Sequence, residues 1–213
     1  MGLTIICDFD GVWVDSFAAL FRINEQAIEH MGKRLSAEQY RAAFKGPIHH
    51  ELRQLLGLDD AQQAEFSDYK RKIFPTLYNA QTVTFFPFAP TLIAELSHLG
   101  QLHIVTASPP EAVCGLLEQA NLRDYFGEVA GFSLVGKRAT LDRLCAEKPG
   151  NDTVFITDTV GDVREATGLK LGLIGVAWGF HQRDDLLAAG ARVVVSDGLE
   201  LKVCLVNPVT VRN

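Results

Sequence analysis

The sequence predicts an α/β fold in which a doubly wound parallel sheet forms a Rossmann-like core and an all-helical segment is inserted near the start. Two observations support this prediction. Short apolar runs alternate with helical patterns over most of the chain, which is typical of the strand–helix–strand units of a parallel sheet. Residues 16–84 break this alternation, because they carry helical patterns throughout.

The predicted strands are short, continuously apolar runs, a pattern that favours strands buried on both faces of a parallel sheet. They cover residues 3–7, 102–107, 128–132, 153–157, 171–178 and 191–196. Apolar residues at helical spacing predict the helices that connect them, at residues 87–100, 109–122, 139–148, 161–168 and 182–190. We expect right-handed crossovers between these strands.

Four further helical patterns follow one another inside the insertion, at residues 16–32, 36–46, 49–57 and 64–78. The stretch FFPFAP, residues 85–90, then returns the chain to the alternating pattern. We therefore predict two parts: a core formed by residues 1–15 and 85–213, and a helical domain formed by residues 16–84.

The composition is that of an ordinary globular protein. Of 213 residues, 47% are hydrophobic and 22% are charged, and the formal net charge of −6 argues against electrostatic binding of a nucleic-acid polymer or an anionic membrane. No apolar stretch reaches the length of a membrane span, and the N-terminus does not resemble a signal peptide. The four cysteines are scattered without a CxxC pair, so we expect a reducing, cytoplasmic location.

The first apolar run ends in DFDG, where Asp8 and Asp10 lie two residues apart. In extended backbone such residues point to the same side, so the two carboxylates can share one site. An Asp-Gly pair after an apolar run also favours a β-hairpin with a type I′ turn, in which both aspartates would be solvated.

Polar residues at two other strand ends favour the shared site over the hairpin. Thr106 and Ser108 close the second predicted strand, and Asp158 and Asp162 follow the fourth. In open α/β sheets, ligands bind beyond the carboxyl ends of the strands, where these side chains would meet. Carboxylates gathered there repel one another, and a divalent cation is the usual compensation.

These residues resemble the motifs of the haloacid dehalogenase-like hydrolase superfamily, in its phosphatase branch that includes the phosphoglycolate phosphatase-like members. DFDGVWVDS, residues 8–16, resembles the first motif, and IVTAS, residues 104–108, the second. Lys137 at a helix start is similar to the third, and ITDTVGDVREA, residues 156–166, to the acidic fourth. The helical insertion is similar to the family's cap domain.

The resemblance implies a Mg²⁺-dependent mechanism with an aspartyl-phosphate intermediate. Asp8 would be the nucleophile and a metal ligand, and Asp10 the general acid and base, whose backbone carbonyl also binds the metal. Asp158 would be the second carboxylate ligand, and Asp162 would support the metal site from behind.

The resemblance also implies a phosphate site. Thr106 and the neighbouring Ala107, with backbone N–H groups nearby, would hold the phosphate, and Lys137 would bridge it to Asp8. Three residues depart from the family pattern: Val12 replaces a common threonine, Ala107 a frequent asparagine, and Thr157 a common glycine.

Within the family, Asp10 argues against dehalogenation, which needs no such proton-transfer group. A mutase similar to β-phosphoglucomutase is the stronger rival, because DGVxxDS also resembles that branch. Mutases carry a histidine soon after the first motif, where this chain reads FAALFRI, so we favour the phosphatase. A non-catalytic module that binds phosphorylated ligands is a third reading, which the complete catalytic set argues against.

The substrate implied by the resemblance is a small-molecule phosphomonoester: a phosphoglycolate-like acid, a sugar phosphate or a nucleotide. We expect residues 16–84 to close over the site and select it, with Phe44, Lys45 and His49 near a specificity loop. The sequence carries no signal for an oligomeric state.

Overall fold

The computed structural model describes residues 2–131, 136–147 and 152–207. The strands are β1 (Leu3–Cys7), β2 (Val14–Asp15), β3 (Thr84–Phe85), β4 (Gly100–Val105), β5 (Phe126–Ala130), β6 (Thr153–Thr157), β7 (Gly172–Val176) and β8 (Val193–Val195). The helices are α1 (Phe17–His30), α2 (Ala37–Ala43), α3 (Ile48–Leu56), α4 (Asp60–Leu77), α5 (Ala89–Ser97), α6 (Pro110–Gln119), α7 (Arg138–Glu147), α8 (Val160–Ala166), α9 (Arg183–Ala189) and α10 (Gly198–Val206).

Six strands form one parallel sheet in the order β5-β4-β1-β6-β7-β8. The predicted α/β fold, a parallel sheet flanked by helices, is therefore confirmed. Because β1 lies between β4 and β6, the chain runs outward on one side of β1 and then crosses to build the other side. This reversal is a topological switch point, where the loops after neighbouring strands part and leave a crevice.

Both faces of the sheet are buried, as the continuous apolar runs predict. Along β1, Ile5 and Cys7 pack into one apolar layer, while Ile6 packs into the layer on the opposite face. On β6, Phe155 belongs to the second layer, and its neighbours along the strand belong to the first. Alternate side chains of a strand point to opposite faces, so each strand supplies both cores.

Several element boundaries differ from those predicted. The strand predicted at 102–107 is β4, which begins at Gly100 and ends at Val105, so Thr106 lies just past the C-terminal end of this strand. Helix α10 and a short 3₁₀ helix at Arg123–Tyr125 were not predicted. The ends of the predicted strand 128–132 and helix 139–148, Phe132 and Lys148, lie outside the described residues.

The segment between β2 and β3 contains the four helices α1 to α4. The two short strands pair with each other in antiparallel fashion, with Val14 opposite Phe85 and Asp15 opposite Thr84. The chain therefore leaves the core and returns to it through a single two-stranded ribbon. Across the described part of the chain, no helix has both the length and the apolar character needed to cross a membrane.

The loop between α2 and α3 packs on helix α8, and its backbone carbonyls accept hydrogen bonds from that helix. The Gly161 N–H donates to the carbonyl of Phe44 at 2.8 Å, and the Arg164 guanidinium donates to the carbonyl of Lys45, also at 2.8 Å. A Cβ atom built on Gly161 would lie 2.5 Å from the carbonyl oxygen of Gly46. Only glycine allows the two backbones to approach this closely.

We expect Gly161→Ala to lower the free energy of unfolding by about 1–3 kcal/mol, because the added methyl group must push the Phe44–Gly46 backbone away. Gly115→Ala, within α6, is the matched control. A Cβ there meets no atom within 4 Å, so this change should stabilise the protein by about 0.5–1 kcal/mol. Urea unfolding of both variants measures the difference, and equal effects would contradict the assigned contact.

Candidate active site

The switch point brings the predicted site residues to one edge of the sheet. Asp8 follows β1, Thr106 follows β4 and Asp158 follows β6, and these three strands are neighbours. All three side chains are buried, as are those of Asp10, Lys137 and Asp162. The hairpin alternative is not observed in the described part of the chain, where β1 pairs with the parallel strands β4 and β6, and β2 pairs with β3.

A buried ion-pair network lies at the centre of the site. The Lys137 ammonium is 2.6 Å from Oδ2 of Asp8 and 2.8 Å from Oδ2 of Asp162. Burial alone would lower the pKa of Lys137, but the two carboxylates raise it, so the lysine stays charged. The pKa of Asp8 is raised well above its usual value, first by burial and then by the charges of Asp162, Asp158 and Asp10, while Lys137 opposes that rise.

Two residues of helix α8 bind Lys137, one at its side-chain ammonium and the other at its backbone N–H. Asp162 binds its ammonium, and Glu165, three residues further along the same helix face, accepts the backbone N–H groups of Lys137 and Arg138. The Thr157 hydroxyl donates to Asp162 Oδ2 at 2.7 Å. Although burial raises the pKa of Asp162, the Lys137 ammonium and the Thr157 hydroxyl hold it below its usual value. Thr157, a departure from the family pattern, thus adds a donor to the network.

The Asp10 carboxylate is oriented by three hydroxyl groups. The Tyr78 hydroxyl donates to Oδ1 at 2.7 Å, and the Ser108 and Thr106 hydroxyls donate to Oδ2 at 2.6 and 3.4 Å. Tyr78 directly follows the last residue of α4, so the helical segment itself contributes to holding Asp10. Asp10 is therefore only two residues from Asp8 in the sequence but has different hydrogen-bond partners.

The Asp158 carboxylate is fully buried between two glycines. Its Oδ2 accepts the Phe180 N–H at 2.8 Å, and its Oδ1 has no hydrogen-bond partner among the described residues. A Cβ atom would lie 1.9 Å from Oδ2 if built on Gly11 and 2.3 Å from it if built on Gly179. Burial raises the pKa of Asp158 to about 7, although the Phe180 N–H favours the ionised form.

The described residues contain no group of three or more His, Cys, Asp or Glu side chains arranged around a metal position. The buried carboxylates of Asp8 and Asp158, close enough for the charge of one to act on the other, are oxygen ligands of the kind that a hard divalent cation prefers. Two features support the fit. Within the described ranges, the buried Oδ1 of Asp158 has no hydrogen-bond partner, and Lys137 is the cation whose charge opposes the carboxylates of Asp8, Asp158 and Asp162. Mg²⁺ commonly takes one or two carboxylates and completes its shell with water or phosphate oxygens.

A cavity of about 80 Å³ opens onto these residues. Its wall includes Asp8, Asp10, Thr106, Ala107, Lys137 and Asp162 from the core, and Phe44, His49 and Lys70 from the helical segment. Burial lowers the pKa of His49 to about 3, with the charge of Lys70 as a second cause, so the imidazole is neutral near pH 7. The side chain of Lys45 does not line the cavity; its contact is made by the backbone carbonyl.

The structure brings together all seven residues predicted from the sequence, with Ala107 contributing cavity wall. Sequence reasoning missed Tyr78, Glu165 and the glycine pair around Asp158. For Gly11, the sequence offered one signal, namely its position directly after the DFD motif. Tyr78 is separated from Asp10 by the whole helical segment, and no local pattern links the two.

Comparison with known proteins agrees with the fold and with the motifs. A family model described as "Haloacid dehalogenase-like hydrolase" matches residues 5–176. A protein of Synechococcus elongatus described as phosphoglycolate phosphatase is 28% identical over 190 residues, covering 87% of this chain and 88% of its own length.

Solved structures show the same fold at low identity. A protein described as a predicted phosphatase from Clostridium acetobutylicum has a TM-score of 0.84 at 20% identity, covering 97% of this chain and 99% of its own. A haloacid dehalogenase-like family hydrolase from Streptococcus pneumoniae has a TM-score of 0.80 at 20% identity, covering 94% and 96%. At these identities the likeness establishes the fold alone.

We expect Mg²⁺ to stabilise the protein and Asp158→Asn to remove most of that effect. An asparagine keeps an oxygen for the Phe180 N–H but loses the charge that a cation would neutralise. Without divalent cations, the same variant should be more stable than the wild type, because a buried, poorly compensated charge is removed. Urea unfolding in EDTA and in Mg²⁺ tests both parts, with the exposed Asp142→Asn as the control. An equal Mg²⁺ response in Asp158→Asn and the wild type would contradict the site.

Proposed function

The chain belongs to the haloacid dehalogenase-like hydrolase family, and we propose that it is a phosphatase that hydrolyses a small phosphate monoester through an aspartyl-phosphate on Asp8. The observation that carries the proposal is the ion pair between Lys137 and Asp8, at 2.6 Å. Attack of a carboxylate on a phosphate dianion brings like charges together, so it needs a fixed positive charge beside the reacting atoms. Lys137 supplies that charge from a buried position.

In the first proposed step, a carboxylate oxygen of Asp8 attacks phosphorus and the bond from phosphorus to the leaving oxygen breaks. Asp10, in its protonated form, gives its proton to that oxygen, so the product leaves as an alcohol. The phosphoryl group is then bonded to Asp8, with Lys137 beside it. A covalent intermediate divides one difficult displacement into two easier ones.

In the second proposed step, water attacks phosphorus and the bond to Asp8 breaks. Asp10, now ionised, takes the proton from the attacking water, which restores both carboxyl groups to their starting states. The hydroxyls of Tyr78, Ser108 and Thr106 support the role of Asp10 as the base in this step, because they donate to its carboxylate and hold it in one orientation. We propose that Thr106 and the backbone at Ala107 hold the phosphate oxygens.

We propose Mg²⁺ as the cofactor, held by Asp8, Asp158 and the backbone carbonyl of Asp10. Bound there, the ion would neutralise charge on the phosphoryl oxygens. Asp162 would act through Lys137 and would not touch the metal or the phosphate. Gly11 and Gly179 would serve the site by leaving room for the Asp158 carboxylate.

We propose that residues 16–84 act as a cap that covers the site and selects the substrate. The support is their contribution of Phe44, His49 and Lys70 to the cavity wall. Arg41 adds a link between cap and core, because its guanidinium donates to the Phe180 carbonyl at 2.6 Å. A closed cap keeps bulk water away from the aspartyl-phosphate until the leaving alcohol departs.

We expect Asp8→Asn to lower kcat for phosphate release by at least about a thousand-fold, because an amide is a poor nucleophile. Phosphate release from p-nitrophenyl phosphate in Mg²⁺ gives the measurement. Asp142→Asn, an exposed change on α7, should retain wild-type turnover. Turnover by Asp8→Asn within ten-fold of the wild type, in a folded protein, would exclude Asp8 as the nucleophile.

The same assay separates hydrolysis from phosphoryl transfer. A phosphatase releases one phosphate for each sugar phosphate consumed, whereas a mutase returns an isomer with its phosphate retained. We expect one phosphate to be released for each ester consumed, as measured by a phosphate assay and by ³¹P NMR of the remaining ester. A retained, relocated phosphate would favour the mutase.

A further inference from the structure

Two basic residues of the helical segment face the cavity of the site from α3 and α4. His49 is hydrogen bonded with the backbone of Ala107, next to Thr106. Lys70 lies close enough to His49 for its charge to lower the pKa of the imidazole. Neither residue belongs to the ion-pair network around Lys137.

Lys70 is a charge without a counter-charge. Among the described residues, no carboxylate lies within ion-pair distance of its ammonium, which lies over the ring of Phe66 at 5.2 Å from the ring centre. Burial lowers the pKa of Lys70 to about 8, so most of the population remains charged at pH 7. A partly desolvated cation without a partner favours an anion placed beside it.

A second, larger cavity of about 680 Å³ lies between α4 and α6. It shares His49, Lys70, Phe74 and Ala107 with the inner cavity, so the two meet at these residues. Lys137, Asp8 and Asp10 line only the inner cavity. Lys70 therefore marks the junction between the phosphate end and a roomy, largely apolar compartment.

We propose that Lys70 binds a second anionic group on the substrate's leaving group, so that the preferred substrates are phosphomonoesters of hydroxy acids or other anionic alcohols. This inference rests on the proposed phosphatase function. Lys137, paired with Asp8, already serves the phosphate. Lys70 is therefore available for a negative charge on the alcohol part of the ester. His49 adds a polar wall at the same junction without a charge of its own. The larger cavity leaves room for leaving groups well beyond two carbons.

The test uses pairs of esters that differ in one charge. 2-Phosphoglycolate is compared with 2-hydroxyethyl phosphate, and 3-phosphoglycerate with glycerol 3-phosphate, which moves the carboxylate further from phosphorus. We expect the wild type to show a higher kcat/KM for the acid in at least one pair. Lys70→Met keeps an unbranched chain without the charge, and it should reduce that acid-to-neutral ratio by roughly 10- to 100-fold, mainly through KM.

Two further variants separate binding from folding. Lys70→Arg retains the charge and should keep most of the ratio, whereas Lys72→Met, at an exposed lysine on the same helix, should leave it at the wild-type value. If the wild type hydrolyses both members of each pair equally well, or if Lys70→Met slows both equally, the inference is overturned while the phosphatase function stands. If the wild type releases phosphate from no ester, the proposed function falls, and this inference with it.

Discussion

The buried ion pairs of Lys137 are the interaction on which the rest of the site depends. One ammonium stands between carboxylates from the end of β1 and from helix α8, and these groups are removed from water. Breaking such a network by deleting one partner leaves an uncompensated charge in a medium of low polarity, so each member needs the others. The glycine between β5 and α7, Gly136, has φ of +91° and lets the chain turn so that Lys137 enters the network.

The sheet and the helical segment make different contributions to the cavity. Asp8 and Asp158 follow the ends of β1 and β6, so their positions follow from the register of the parallel sheet, and helix α8 adds Asp162. The helical segment delivers neutral and basic groups, and it contacts the core through backbone hydrogen bonds, through the Tyr78 and Arg41 side chains and through aromatic packing on Phe180. A division of this kind lets the acidic residues of the sheet stay constant while the helical wall of the cavity changes.

Most of the fold was predictable, because burial on both faces of a parallel sheet forces apolar runs that are visible in the sequence. Asp8, Asp10 and Asp158 were equally visible, since strand ends converge at one edge wherever the sheet is parallel. Contacts that depend on tertiary packing could not be predicted from the sequence. Tyr78 reaches Asp10 only because α4 ends against the core, and Glu165 reaches the Lys137 backbone only because α8 and α7 lie side by side. Short strands such as β2 and β3 carry too few residues for any periodicity.

The strand order also determines when β1, the strand that precedes Asp8, can fold. β1 is central, but its partners β4 and β6 follow it by about 100 and about 150 residues. At ribosomal rates of roughly 5–20 residues per second, β1 emerges and waits on the order of ten seconds before both neighbours exist. During that interval an apolar strand with two open edges is exposed, which is the condition that favours intermolecular strand pairing. Expression of this protein should therefore depend on translation speed and chaperone supply more than its native stability alone suggests.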